Sequence, residues 1–317
     1  MMINQEDIHI ISRNSNWKER DISKTLQQHV YNNKQSWEKF LELFFLSLGV
    51  GFTIAGILFF FAYNWSDLHK FVKIGLIEIL IISLVLVAVY SHIEVLFKNI
   101  LLTGSTMLVG VLFAVFGQIY QTGANAYDFF LGWTMAVSIW VFIANFSVLW
   151  LLYIGLLNLT LGLYIDQVSL DIPEMLLISL FILGNTSFFL VSLYLKSLGN
   201  NIPIWFTNLL ALFIFTILTI TLSSGVYSYR EEYFPFILII STILYPLAFY
   251  YGLKTKQTLY LSIVPFSLIT VSTIFLFEKT NFNEILMFLF MGIYIVGSIT
   301  LVIKMLMNFQ KKWGNEK

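Results

Sequence analysis

From Phe40 onward the chain is a succession of apolar runs of roughly twenty residues, separated by short polar breaks. A hydrocarbon layer of about 30 Å takes about 20 helical residues to cross. Inside it every backbone N–H and C=O must find a partner within the protein, so only helices or closed barrels span it. A barrel would alternate polar and apolar residues over about ten positions, and these runs do not alternate. The pattern therefore predicts an all-α fold, a polytopic transmembrane helix bundle of about ten spans. Composition agrees: 58% of 317 residues are hydrophobic and 11% are charged, against about 25% charged in soluble domains.

The spans are expected near 42–63, 73–91, 99–118, 129–144, 146–165, 175–194, 204–222, 234–251, 259–277 and 285–303. Only Asn145 and its neighbours separate the fourth from the fifth, which reads either as a tight helical hairpin or as one re-entrant segment. Residues 1–39 form a polar tail. In it Asn16 and Glu19 have capping-box spacing, and Trp17, Ile22, Leu26 and Val30 lie near one helical face. The tail is expected to lie on the membrane surface as an amphipathic helix. The first apolar run, long and placed behind this tail, is expected to act as its own uncleaved insertion signal.

Lysine and arginine set the orientation. Fourteen of the eighteen fall on the side of the N-terminal tail, while Lys70, Lys73, Arg230 and Lys279 fall on the other. Both termini are therefore expected to face the cytoplasm, across the cytoplasmic (inner) membrane. Proline divides the chain as well, since none of the five precedes Pro173. A first five-span region, 40–165, is expected to run without proline kinks. The second, 166–317, places Pro246 and Pro265 at similar depth in consecutive spans, where two kinks would form a hinge layer or simply be filled by neighbouring helices.

Polar residues crowd at one place, Phe116 to Trp133, read F-G-Q-I-Y-Q-T-G-A-N-A-Y-D-F-F-L-G-W. The end of the first span, Ala62 to Asp67, lies at the same predicted level, the outer face. Tyrosine and tryptophan gather at membrane interfaces as anchors, which accounts for Trp65, Tyr120 and Trp133. The amides and carboxylate of Asn64, Gln118, Gln121 and Asp128 ask for more. Together these seven residues form the candidate ligand- or partner-binding site. Glu78 lies within the second span, where a charged group costs about 2.5–3.5 kcal/mol on insertion scales and tends to face the protein interior. It is expected to hydrogen-bond a neighbouring helix, with proton or cation binding as the functional alternative. Asn145, Asn158, Asn185 and Asn208 are expected to bridge helices.

The motif A-Y-N-W at 62–65, taken with G-Q-I-Y-Q-T-G-A at 117–124 and the later Trp133, resembles a bacterial membrane family, the domain of unknown function numbered 2157. The resemblance covers roughly residues 10–165. It implies membrane location and carries no activity with it.

No catalytic template is present. The four histidines are scattered, and there is no H-E-x-x-H, G-x-S-x-G or phosphate-binding glycine loop. Cysteine is absent, which removes thiolate chemistry and disulfides. Zero net charge gives no global attraction to nucleic acid. The chain is thus read as a non-enzyme without cofactor or metal, whose partners are the lipid bilayer and a small molecule or membrane protein. Binding or transport of a small molecule or lipid at the outer polar site is the leading expectation. The alternative is a structural or accessory subunit of a membrane complex.

Overall fold

The computed structural model describes residues 17, 20–22, 25–26, 34–63, 69–120, 123, 125–168, 172–227, 233–280 and 283–315. Within them are ten long helices and no strand. They are α1 (Lys34–Tyr63), α2 (Lys70–Tyr90), α3 (Val95–Tyr120), α4 (Ala126–Ala144), α5 (Ser147–Val168), α6 (Glu174–Ser197), α7 (Ile204–Tyr227), α8 (Phe234–Thr255), α9 (Thr258–Lys279) and α10 (Glu284–Asn315). Each contains a stretch long and apolar enough to cross a bilayer, so the ten expected spans are all present. The tail expected over 1–39 lies mostly outside the described residues. Arg20–Ile22 and Thr25–Leu26 are helical, and α1 already begins at Lys34.

Asn145 decides the ambiguity between the fourth and fifth spans. It adopts the left-handed conformation (φ 45°, ψ 44°) and its N–H closes on the Val141 carbonyl, ending α4. Asparagine tolerates that conformation better than most residues. A new helix starts two residues later, so the fourth and fifth segments are separate helices of 19 and 22 residues, each long and apolar enough to cross a membrane. Lys256 (φ 56°) makes the same kind of stop between α8 and α9.

The chain divides into two compact units, Met1–Leu149 and Trp150–Lys317. Almost all of α5 therefore goes with the second unit. In the first unit α3 is the central element, packed by α1, α2 and α4. Its core joins Ile54 of α1, Ile77 of α2, and Leu108, Val111 and Val115 of α3. In the second unit α9 takes the central place, against α7, α8 and α10. Ile182, Ile214, Leu218, Ile237, Tyr245 and Tyr260 fill the space between α6 and α9. Pro246 and Pro265 sit inside helices that run on through them.

Candidate functional site

The central polar stretch first of all builds a helix pair. The Trp133 ring lies against Gly110, where a Cβ would come within 2.5 Å of the indole. Phe129 sits over Gly117 in the same way, and Phe113 of α3 sits over Gly132 of α4. Rings from each helix thus occupy positions where the other has no side chain, which lets the backbones approach closely. Thr106, fully buried, fixes the pair at a second level. Its carbonyl accepts the Trp133 indole N–H at 2.7 Å, and its hydroxyl accepts that of Trp140 at 2.7 Å. The same hydroxyl donates to the Leu102 carbonyl at 2.9 Å. Every polar atom of this clasp is matched, as a low-dielectric setting demands.

Asp128 also acts within its own helix. Its carboxylate accepts the Asn125 backbone N–H at 3.1 Å, the reach-back arm of a capping box at the start of α4. A carboxylate there also suits the positive end of the helix dipole. Trp133 and Asp128 are therefore held by α3 and by the α4 cap. Gln118 and Tyr120 remain exposed at the end of α3. There the Lys70 ammonium lies 5.6 Å from the centre of the Tyr120 ring, and Phe116 packs on the same ring at 4.5 Å. Asn64, Trp65 and Gln121 lie outside the described residues. Of the seven candidate residues, the described structure thus places Gln118 and Tyr120 at one end of α3, and Trp133 and Asp128 on α4.

Lys73, by contrast, was not singled out by sequence and is buried at 6% exposure. It lies one turn before Ile77, on the face of α2 that meets α3. That i, i+4 spacing to a core residue was the available signal.

Glu78 departs from expectation. The face of α2 toward α3 is occupied by Lys73, Ile77 and Ala88, and Glu78 projects about 100° away from Ile77. It is exposed. Among the described residues it has no hydrogen-bond or ion-pair partner. The expected bond to a neighbouring helix of its own chain is not made.

The second unit contains polar features that hydropathy conceals. The Tyr245 hydroxyl is 2.5 Å from Ser267 Oγ, which is 2.5 Å from Thr219 Oγ1, which donates to the Phe215 carbonyl at 2.6 Å. Each hydroxyl has one hydrogen. Thr219's goes to Phe215, so Ser267 donates to Thr219 and Tyr245 donates to Ser267. This directed relay ties α7, α8 and α9 together at the level of Pro246 and Pro265.

Beside it, α7, α8 and α9 leave a groove of about 540 Å³. Its walls are apolar, with Phe234 standing against Gly225 so closely that any Cβ there would overlap the ring. The Ser272 hydroxyl in this wall is bonded to the Ile269 carbonyl at 3.1 Å and to Tyr294 at 2.7 Å. Lys279 closes one end. From Leu268, at the middle of α9, to Lys279, at its last turn, the groove runs about 16 Å at the helical rise.

Ten bilayer-length apolar helices among the described residues define an α-helical multi-pass membrane protein. Residues 17–150 match the model of a family described as "Predicted membrane protein (DUF2157)". The resemblance carried by the two motifs therefore holds for the N-terminal half, and it stops where the first compact unit stops. No curated protein and no solved structure matches the chain.

Proposed function

We propose that this is a non-enzymatic, lipid-binding protein of the cytoplasmic membrane, oriented with both termini inside. The observation that carries the reading is the groove between α7, α8 and α9. Its length from Leu268 to Lys279 matches one leaflet, half of a hydrocarbon core of about 30 Å. An acyl chain lying in it would meet apolar side chains along its length and bring its headgroup phosphate to the Lys279 ammonium. With the lysine and arginine bias, that end faces outward, as does the end of α3 that carries Gln118 and Tyr120. In this reading Gln118 and Tyr120 anchor the first unit at headgroup level.

The test is native mass spectrometry of the protein released from mild detergent. Wild type should retain phospholipid. Leu238→Trp, which fills the groove from an exposed position, should release it while leaving the melting temperature near wild type. Lys279→Gln should weaken retention by at least about tenfold, the loss expected for a charge-assisted contact. Equal lipid retention in all three proteins would refute this site. The alternative of an accessory subunit draws on α1, where Phe52 and Phe59 are 72% and 76% exposed.

A further inference from the structure

Glu78 is the ninth of the 21 residues of α2, a helix about 31 Å long at 1.5 Å per residue. That length is about one hydrocarbon thickness, and the Glu78 Cα lies about 3 Å along the axis from the midpoint of the helix. Its side chain is far too short to reach either interface. It is nevertheless exposed, and no partner among the described residues reaches it. A carboxyl at that depth needs a polar partner or water.

The residues sharing its face give the partner's form. Phe71, Gly75, Glu78, Ile82, Val85 and Val89 recur at intervals of four, three, four, three and four. That is the spacing of a two-helix seam, in which a single polar position fixes register. None of the six is among the buried residues of α2, and nothing lies within 4 Å of a Cβ built on Gly75.

We infer that this face of α2 is a docking surface for a second copy of the same chain, with Glu78 meeting the partner copy's Glu78 across a two-fold axis along the membrane normal. Copies inserted with one topology carry Glu78 at one depth, so identity alone brings the two carboxyls level. A carboxyl is self-complementary: a neutral pair forms two O–H···O bonds, and an acid–carboxylate pair shares one proton. A two-fold contact uses the same surface twice and closes on itself. The notch at Gly75 allows the helices to come close where the carboxyls meet.

The native chain has no cysteine, so single cysteines report without background. Ile82→Cys lies on the seam, while Val87→Cys lies on the opposite side of α2 with similar exposure, 55% against 47%. Oxidation in native membranes should link Ile82→Cys into a dimer and leave Val87→Cys monomeric. Adding Glu78→Gln, whose amide is also donor and acceptor, should preserve the link. Adding Glu78→Ala should reduce it by about threefold to tenfold, in line with interhelical polar contacts in bilayers. Equal linking at both positions, linking only to a different protein, or a link indifferent to Glu78→Ala would each overturn the inference. The Ile82 and Val87 comparison keeps Glu78 intact, so it stands even where Glu78→Ala fails to fold. Lipid retention in the α7–α9 groove is untouched by these outcomes.

Discussion

Asn158 of α5 and Asn185 of α6 exchange their side-chain amides. Asn158 Nδ2 donates to Asn185 Oδ1 at 3.0 Å, and Asn185 Nδ2 donates to Asn158 Oδ1 at 2.7 Å. Each uses its other amide hydrogen on the carbonyl one turn back, Ile154 or Phe181, at 2.8 Å. All four hydrogens have acceptors, and the bridge expected of these asparagines is made by this pair.

Removing one partner should therefore cost more than removing both. In Asn158→Leu the Asn185 amide loses its match while it remains buried, whereas Asn158→Leu/Asn185→Leu leaves an apolar contact. The coupling from a double-mutant cycle should be on the order of 0.6–1.7 kcal/mol, the range measured between membrane helices. Melting in detergent for wild type, both single variants and the double variant measures it. Additive losses would mean the pair contributes nothing as a unit.

The α3–α4 clasp should respond differently to changes at its two levels. Thr106→Val deletes the hydroxyl that accepts the Trp140 N–H but leaves the carbonyl that holds Trp133, at a cost of about 1–3 kcal/mol for the unmatched donor. Gly110→Leu puts a side chain where the Trp133 ring lies, and the two helices must separate. That variant should lose more than the threonine change, because overpacking of about 1–3 kcal/mol comes with loss of the Trp133 bond. Chemical or thermal denaturation in detergent ranks the two, and a Gly110→Leu protein as stable as wild type would contradict the close approach.

Orientation is open to a direct check. Reporter fusions after Lys98, Leu195 and Lys254 should read cytoplasmic, and fusions after Ala124 and Glu232 should read external. The reverse pattern at both ends of the chain would defeat the charge argument. It would also move the Lys279 end of the groove to the inner leaflet.

The number and position of the helices were legible in the sequence, because a run of twenty apolar residues has one use at a bilayer. Which side of each helix faces the protein was not. A lipid tail and a packed leucine present the same chemistry, so membrane helices carry little contrast between faces. That is why the sequence places Glu78 inside although it lies outside, and why nothing in it sets the buried Lys73 apart from the other three cations on its side. The glycines and rings of the central stretch were legible as a cluster. Their use was not, because Gly110, Gly117 and Trp133 acquire meaning only once α3 and α4 lie side by side. Ser267, Thr219 and Tyr245 are separated by up to 48 positions, and nothing local marks them as one relay.

α1 leans on its unit through Ile54 and little else among its buried residues. It is also the first of the ten helices to leave the ribosome. A helix that asks so little of its neighbours is finished as soon as it enters lipid, and it has no need to wait in the translocon. α3 is in the opposite position, since Ser105 and Thr106 are buried and two tryptophan N–H groups of α4 converge on Thr106. Biogenesis of the first unit should thus advance in two strides: α1 settles alone, and α3 is released together with α4, whose arrival supplies the indoles that α3 was built to receive.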